Sequence, residues 1–176
     1  MTRQAFEQFW AKNYPETLPI GYLFKHNLPE RWVRFHSLPD AKRYAETEAE
    51  WDILLRRQND IFDYLIPQNA EIMVVINSIS SGHLLFQMFD FENIGVLIHD
   101  EMTFQSFVAE TTWQSNRLNP LLIEIADDNI RAFITTPNCI VAPYDGGIDV
   151  VLKDNDTKNI LKDKFKNWLS QRQDGF

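Results

Sequence analysis

Between residues 71 and 109 the chain strings together apolar, β-branched segments whose connections are too short to hold a crossover helix. Parallel neighbours need a connection of a dozen or more residues, so these segments are expected to pair antiparallel. The predicted strands there are 71–79 (EIMVVINSI), 84–91, 95–99 and 104–109, with Ser80-Ser81-Gly82 as a turn. Farther on, 130–136 and 139–143 read as a hairpin around Pro137-Asn138. The Tyr144-Asp145-Gly146-Gly147 turn then leads into a last strand at 148–152. Upstream, Arg31-Trp32-Val33-Arg34-Phe35-His36 alternates strictly, putting Trp32, Arg34 and His36 on one face and Val33 and Phe35 on the other.

Helical signals surround these strands. Thr47-Glu48-Ala49-Glu50 is a capping box, and Trp51, Leu54, Leu55, Gln58, Ile61, Phe62 and Leu65 follow as one apolar stripe that Pro67 ends. Phe6, Phe9, Trp10 and Asn13 predict a helix over 3–13, stopped by Pro15. Residues 15–30, with three prolines and a glycine, are expected to be loop with at most a short extended piece. Pro120 at the first helical position predicts a helix over 119–126. Asp154 or Asn155 is expected to cap a C-terminal helix containing Ile160, Leu161, Phe165, Trp168 and Leu169. The expected architecture is α+β, an antiparallel sheet with helices packed on a face, in a single domain over 1–176.

At 176 residues, the chain can bury its own core. Its 13 Phe, 5 Trp and 5 Tyr exclude a disordered tail. A net charge of −8 speaks against nucleic acid as a partner and favours a basic one. No apolar run reaches the length of a membrane span and no signal peptide is visible, so a cytoplasmic protein without membrane contact is expected. A single cysteine, Cys139, suits a reducing compartment, and its apolar neighbourhood reads as a small buried hydrophobe rather than a nucleophile. The oligomeric state is left open.

No motif identifies a reaction. Gly-rich phosphate loops and the Gly-x-Ser-x-Gly elbow are missing from the sequence, and His26, His36, His83 and His99 do not stand at zinc-ligand spacing. A non-enzymatic role without cofactor or metal is therefore expected. His99-Asp100-Glu101 could serve acid–base chemistry, but a solvated turn accounts for it more simply. Asp145 and Asp149 could approach a cation, although the Asp-Gly turn needs none.

Charge patterning is more informative. Between Lys25 and Arg43 the chain has a local excess of +3 against −11 elsewhere. Arg31, Arg34, His36, Lys42 and Arg43 form a candidate site for a small anion such as a nucleotide or phosphometabolite. Pairing of these cations within the chain, with acids of the 46–63 helix, is the competing and preferred expectation. Residues 87–128 carry −7, with interleaved aromatics that read mainly as core. Asp90, Glu92, Asp100, Glu101, Asp127 and Asp128 are the candidate partner-binding residues, a surface for a basic protein.

The segment Arg31-Trp32-Val33-Arg34-Phe35-His36-Ser37-Leu38-Pro39, with Lys42-Arg43-Tyr44 and the capping box, resembles a group of uncharacterised bacterial proteins. So does Pro143-Tyr144-Asp145-Gly146-Gly147-Ile148-Asp149, followed by the helix with Trp168-Leu169-Ser170. The resemblance runs over most of the chain and implies a bacterial origin and single-domain extent. In type, though not in motif, the chain is similar to immunity proteins. That likeness implies a bacterial protein that neutralises a basic, nuclease-like toxin domain by electrostatic steering and occlusion.

Overall fold

The computed structural model describes residues 1–79 and 85–170, with backbone only at 78–79 and 85–86. The predicted Ser80-Ser81-Gly82 turn and His83 lie outside the described residues.

Among these residues seven strands form one antiparallel sheet: β1 (Trp32–His36), β2 (Glu71–Ile79), β3 (Glu92–His99), β4 (Met102–Thr112), β5 (Ile130–Thr135), β6 (Cys139–Tyr144) and β7 (Gly147–Leu152). Their order across the sheet is β1-β7-β6-β5-β2-β4-β3. The hairpins at 100–101, 136–138 and 145–146 match the short connections that the sequence demands.

Helices cover both faces of the sheet. α1 (Arg3–Asn13) is capped by Thr2, whose Oγ1 accepts from Ala5 N at 3.2 Å. It lays Phe6 and Trp10 on Val75, Val108, Phe133, Ile140 and Val151. Residues 15–30 hold more than a loop: a 3₁₀ turn at Gly21–Leu23 runs into a one-turn helix, α2 (Phe24–Asn27), which buries Phe24 on the same face. On the opposite face lie α3 (Glu48–Leu65), α5 (Asn119–Ala126) and α6 (Asn155–Lys164), with α4 (Leu85–Met88) between β2 and β3. The sheet needs both layers because its middle strands are apolar on both sides; all six residues of β7 are buried.

The capping box opens α3 as predicted: Glu50 N donates to Thr47 Oγ1 at 3.3 Å and Thr47 N to Glu50 Oε2 at 3.1 Å. Two predicted elements differ. Of the predicted 84–91 strand, the described residues 85–91 form α4 and an irregular stretch leading to the start of β3. Phe89 and Phe91 anchor it in the core instead of pairing as a strand. The C-terminal helix stops at Lys164. Phe165 stacks on Trp168 at 4.7 Å, and Leu169 forms a β-bridge to Phe35 beside β1.

Candidate functional site

The face covered by α1 changes character along five strands, β1, β7, β5, β2 and β4. Two residues on from apolar positions in the α1 contact stand polar ones: Asn77 after Val75, Ser106 before Val108, Arg131 before Phe133, Asp149 before Val151 and Arg34 after Trp32. Alternation along a strand puts each such pair on one face. The pairing registers put these positions near one end of the sheet, with Arg34 opposite Asp149 and Asp149 opposite Ala142. The result is a polar belt beyond the reach of α1. Its Arg34, Asn77, Arg131 and Asp149 line a cavity of about 280 Å³ walled by Ile20, Gly21, Tyr22 and Lys25.

Asn77 holds that wall in place. It is 3% exposed, donates to Pro19 O at 2.8 Å and Ser106 Oγ at 3.2 Å, and accepts from Gly21 N at 3.4 Å. Its neighbour in the wall, Tyr22, meets His99 Nδ1 through its hydroxyl at 2.8 Å, tying the wall to the β3–β4 turn.

Two guanidinium–carboxylate pairs stand in the belt. Arg34 is bidentate on Asp149, Nε to Oδ1 at 2.6 Å and Nη2 to Oδ2 at 2.8 Å, with both side chains largely buried. Burial works against the Arg34 charge. The Asp149 hydrogen bonds and the surrounding negative charge outweigh it, so the pKa of Arg34 is raised. The guanidinium also stacks on Tyr144 at 4.5 Å and on Trp32 at 5.3 Å. Asp145 accepts from Arg43 Nε at 2.6 Å and from Tyr44 Oη at 3.1 Å. The cations near Asp145 and Asp149 are thus the chain's own, and no group of three or more potential metal ligands occurs among the described residues.

The five candidate anion-binding residues do not form one anion cradle. Arg34 and Arg43 line the cavity already paired with carboxylates. Lys42 instead bridges Glu46 at 2.9 Å and Glu50 at 2.6 Å at the start of α3. That contact, with the hydrogen bonds from the Glu46 and Thr47 backbone, holds the Glu50 carboxyl down at about 2. Arg31 lies at the far end of β1 with its guanidinium 6.0 Å from the Tyr14 ring. His36 ends β1, its pKa lowered first by burial and further by Arg34 and Arg57, against a backbone hydrogen bond at Gly146. Internal pairing with the 46–63 helix holds for Lys42; for Arg34 and Arg43 the partners are on β7 and in the β6–β7 turn.

The six candidate partner-binding acids divide. Asp100 and Glu101 form the β3–β4 turn, and Asp127 and Asp128 follow α5 just before β5; the strand registers bring both segments to the cavity end. Asp128 lines the cavity itself, and the Asp100 charge is felt at Tyr22, another lining residue. All four side chains are exposed. Asp90 and Glu92 are exposed too, but Glu92 starts β3, roughly 24 Å from His99 at about 3.4 Å per residue. Among the interleaved aromatics, Phe89, Phe104 and Trp113 are buried core.

Arg131 and Asn77 have no place among the predicted site residues. Their signal is the change from apolar to polar two positions along a strand, which becomes meaningful only once the registers line these changes up. Cys139 is 2% exposed, and burial pushes its thiol up to about 11, the state of a packed hydrophobe and not of a nucleophile. No described helix is long and apolar enough to cross a membrane.

No curated protein and no solved structure matches the chain. A family model described as "Domain of unknown function (DUF3885)" matches residues 20–173. The matched span leaves out α1 but takes in the whole sheet, both guanidinium–carboxylate pairs and the four carboxylates at the cavity end. With most of its length inside that match, the chain belongs to the family described as Domain of unknown function (DUF3885).

Proposed function

We propose that the chain is a non-enzymatic acidic binding protein of the bacterial cytoplasm, an immunity protein that neutralises a basic, nuclease-like toxin domain. The supporting observation is that Asp100, Glu101, Asp127 and Asp128 stand exposed at one end of the sheet, the end with the cavity that Asp128 lines. Of the cations that line the cavity, Arg34 and Arg43 are already engaged by Asp149 and Asp145, and Lys25 and Arg131 stand with them. The four exposed carboxylates, together with the net charge of −8, favour a cationic partner. Such a partner is drawn in by this charge and held where it covers the toxin's own active site. The small-anion reading has less support, because Arg34, Lys42 and Arg43 each carry a carboxylate partner.

Asp90 and Glu92 supply an internal control. The experiment measures binding of the purified chain to the basic protein encoded beside its own gene, at low and raised salt. Reversing Asp100, Glu101, Asp127 and Asp128 to lysine is expected to slow association at least about tenfold and to flatten its salt dependence. Asp90→Lys with Glu92→Lys is expected to change association far less. Equal loss in both variants, or none in the first, would overturn the reading.

A further inference from the structure

The two edges of the sheet are finished differently. Beside β1, Leu169 bridges to Phe35 and covers that edge. At the other end of the strand order, β3 has β4 on one side and no strand among the described residues on the other. A bulge between Asn93 and Gly95 breaks the first part of β3, after which Val96 to His99 pair regularly with β4. In this regular part Leu97 packs against the cluster of Ile20, Leu23 and Phe104. Alternation turns Val96 and Ile98 to the opposite face, where they are 55% and 65% exposed. An open strand edge flanked by exposed β-branched residues is a template for another strand.

We infer that β3 pairs antiparallel with β3 of a second copy of this chain, about a two-fold axis at Leu97. Directly opposed residues of an antiparallel pair point to the same face, and a two-fold axis normal to the sheet preserves the faces. The register centred on Leu97 therefore sets Val96 of each copy opposite Ile98 of the other and joins the exposed apolar pairs into one patch. The charges are compatible with it. Within the regular part, Gly95 to His99, no carboxylate takes part in the pairing. Gly95 falls opposite His99. The Arg3 guanidinium, whose Nε is held by Glu7 Oε1 at 2.7 Å, lies over Gly95 with Nη1 3.1 Å from where a Cβ would be, and so brings its Nη nitrogens alongside the His99-Asp100 turn of the second copy. Cation and carboxylate face each other there twice, once on each side of the axis.

The contact is an edge pairing of a few residues, so the dimer is expected to depend on concentration. Sedimentation equilibrium of the full chain should show monomer passing to dimer as concentration rises. Ile98→Lys should raise the dissociation constant at least about tenfold, because the lost contact recurs across the axis. Ile160→Lys, at an exposed position on α6, should leave it unchanged. The register is read separately by oxidative crosslinking. Val96→Cys with Ile98→Cys in one chain should crosslink readily, and either change alone far less, since opposed positions suit a disulfide and diagonal ones lie about 7–8 Å apart. A wild-type chain that stays monomeric at its highest soluble concentration overturns the pairing. So does a double variant that crosslinks no better than the single ones, and this second readout stands even if Ile98→Lys fails to fold.

Discussion

One face of the sheet has two halves that differ in almost every respect. Under α1, Val75, Val108, Phe133, Ile140 and Val151 meet Phe6 and Trp10 in a dry aromatic layer, with Phe133 edge-on to Phe24 at 5.0 Å. Two residues farther along β2, β5 and β7, and on β1 beside them, Asn77, Arg131, Asp149 and Arg34 line a cavity. Backbone geometry is shared; what changes is the cover. An 11-residue helix spans only part of the face, and where it ends the sheet meets a thin wall from residues 19–25 that Asn77 must anchor. Residues in the first half are chosen for packing, those in the second for satisfying one another's charge in a partly dry space.

The sharpest way to separate the halves is to remove one side chain from each. Phe133→Ala deletes a fully buried ring from the apolar half and should destabilise the fold by about 3–5 kcal/mol, read from denaturant melts. A cost under about 1 kcal/mol would mean that α1 does not seal that half. In the polar half, Asp149→Ala strands the Arg34 guanidinium between Trp32 and Tyr144 without its bidentate partner and should cost about 3 kcal/mol. The informative variant replaces both partners. Arg34→Met with Asp149→Leu should recover most of that loss, because a buried ion pair gives little net stability over well-packed apolar groups of similar size. A double variant as unstable as the single one would assign the pair a larger stabilising role. No such recovery is available at Phe133, where the loss is volume rather than charge.

How far the sequence reveals these halves follows from the same physics. The capping box and stripe of α3, the Pro-led α5 and the strands 130–136, 139–143 and 148–152 are local signals, and the structure keeps them within a residue or two. The predicted 84–91 strand fails over its described residues, 85–91, because Phe89 and Phe91 are apolar for a core-anchored connection, and local composition does not distinguish such a connection from a strand. The belt is a non-local object. Arg34 is prominent in the sequence, but its partner Asp149 is 115 residues away and belongs by sequence to a turn signal. The acidic block divides for the same reason: Glu92 and Asp100 are neighbours in a charge count but lie at opposite ends of one strand.

The smallest expected effect comes from acid, and it too should distinguish the halves. His36 sits at the cavity end of β1, and the folded protein holds its imidazole below the ordinary 6.5, through burial and then the Arg34 and Arg57 charges. A base whose folded pKa is depressed binds its proton more readily when unfolded. The stability tied to neutral His36 is therefore fully present above about 6.5 and is lost as pH falls from there through the lower folded value. Melting temperature measured between neutral and mildly acidic pH should decline with a component that His36→Gln removes. Phe133→Ala should lower the whole curve while leaving that component in place, because the ring's aromatic neighbours Trp10 and Phe24 do not titrate. If His36→Gln leaves the decline as steep as before, protonation at the end of β1 is not felt by the fold.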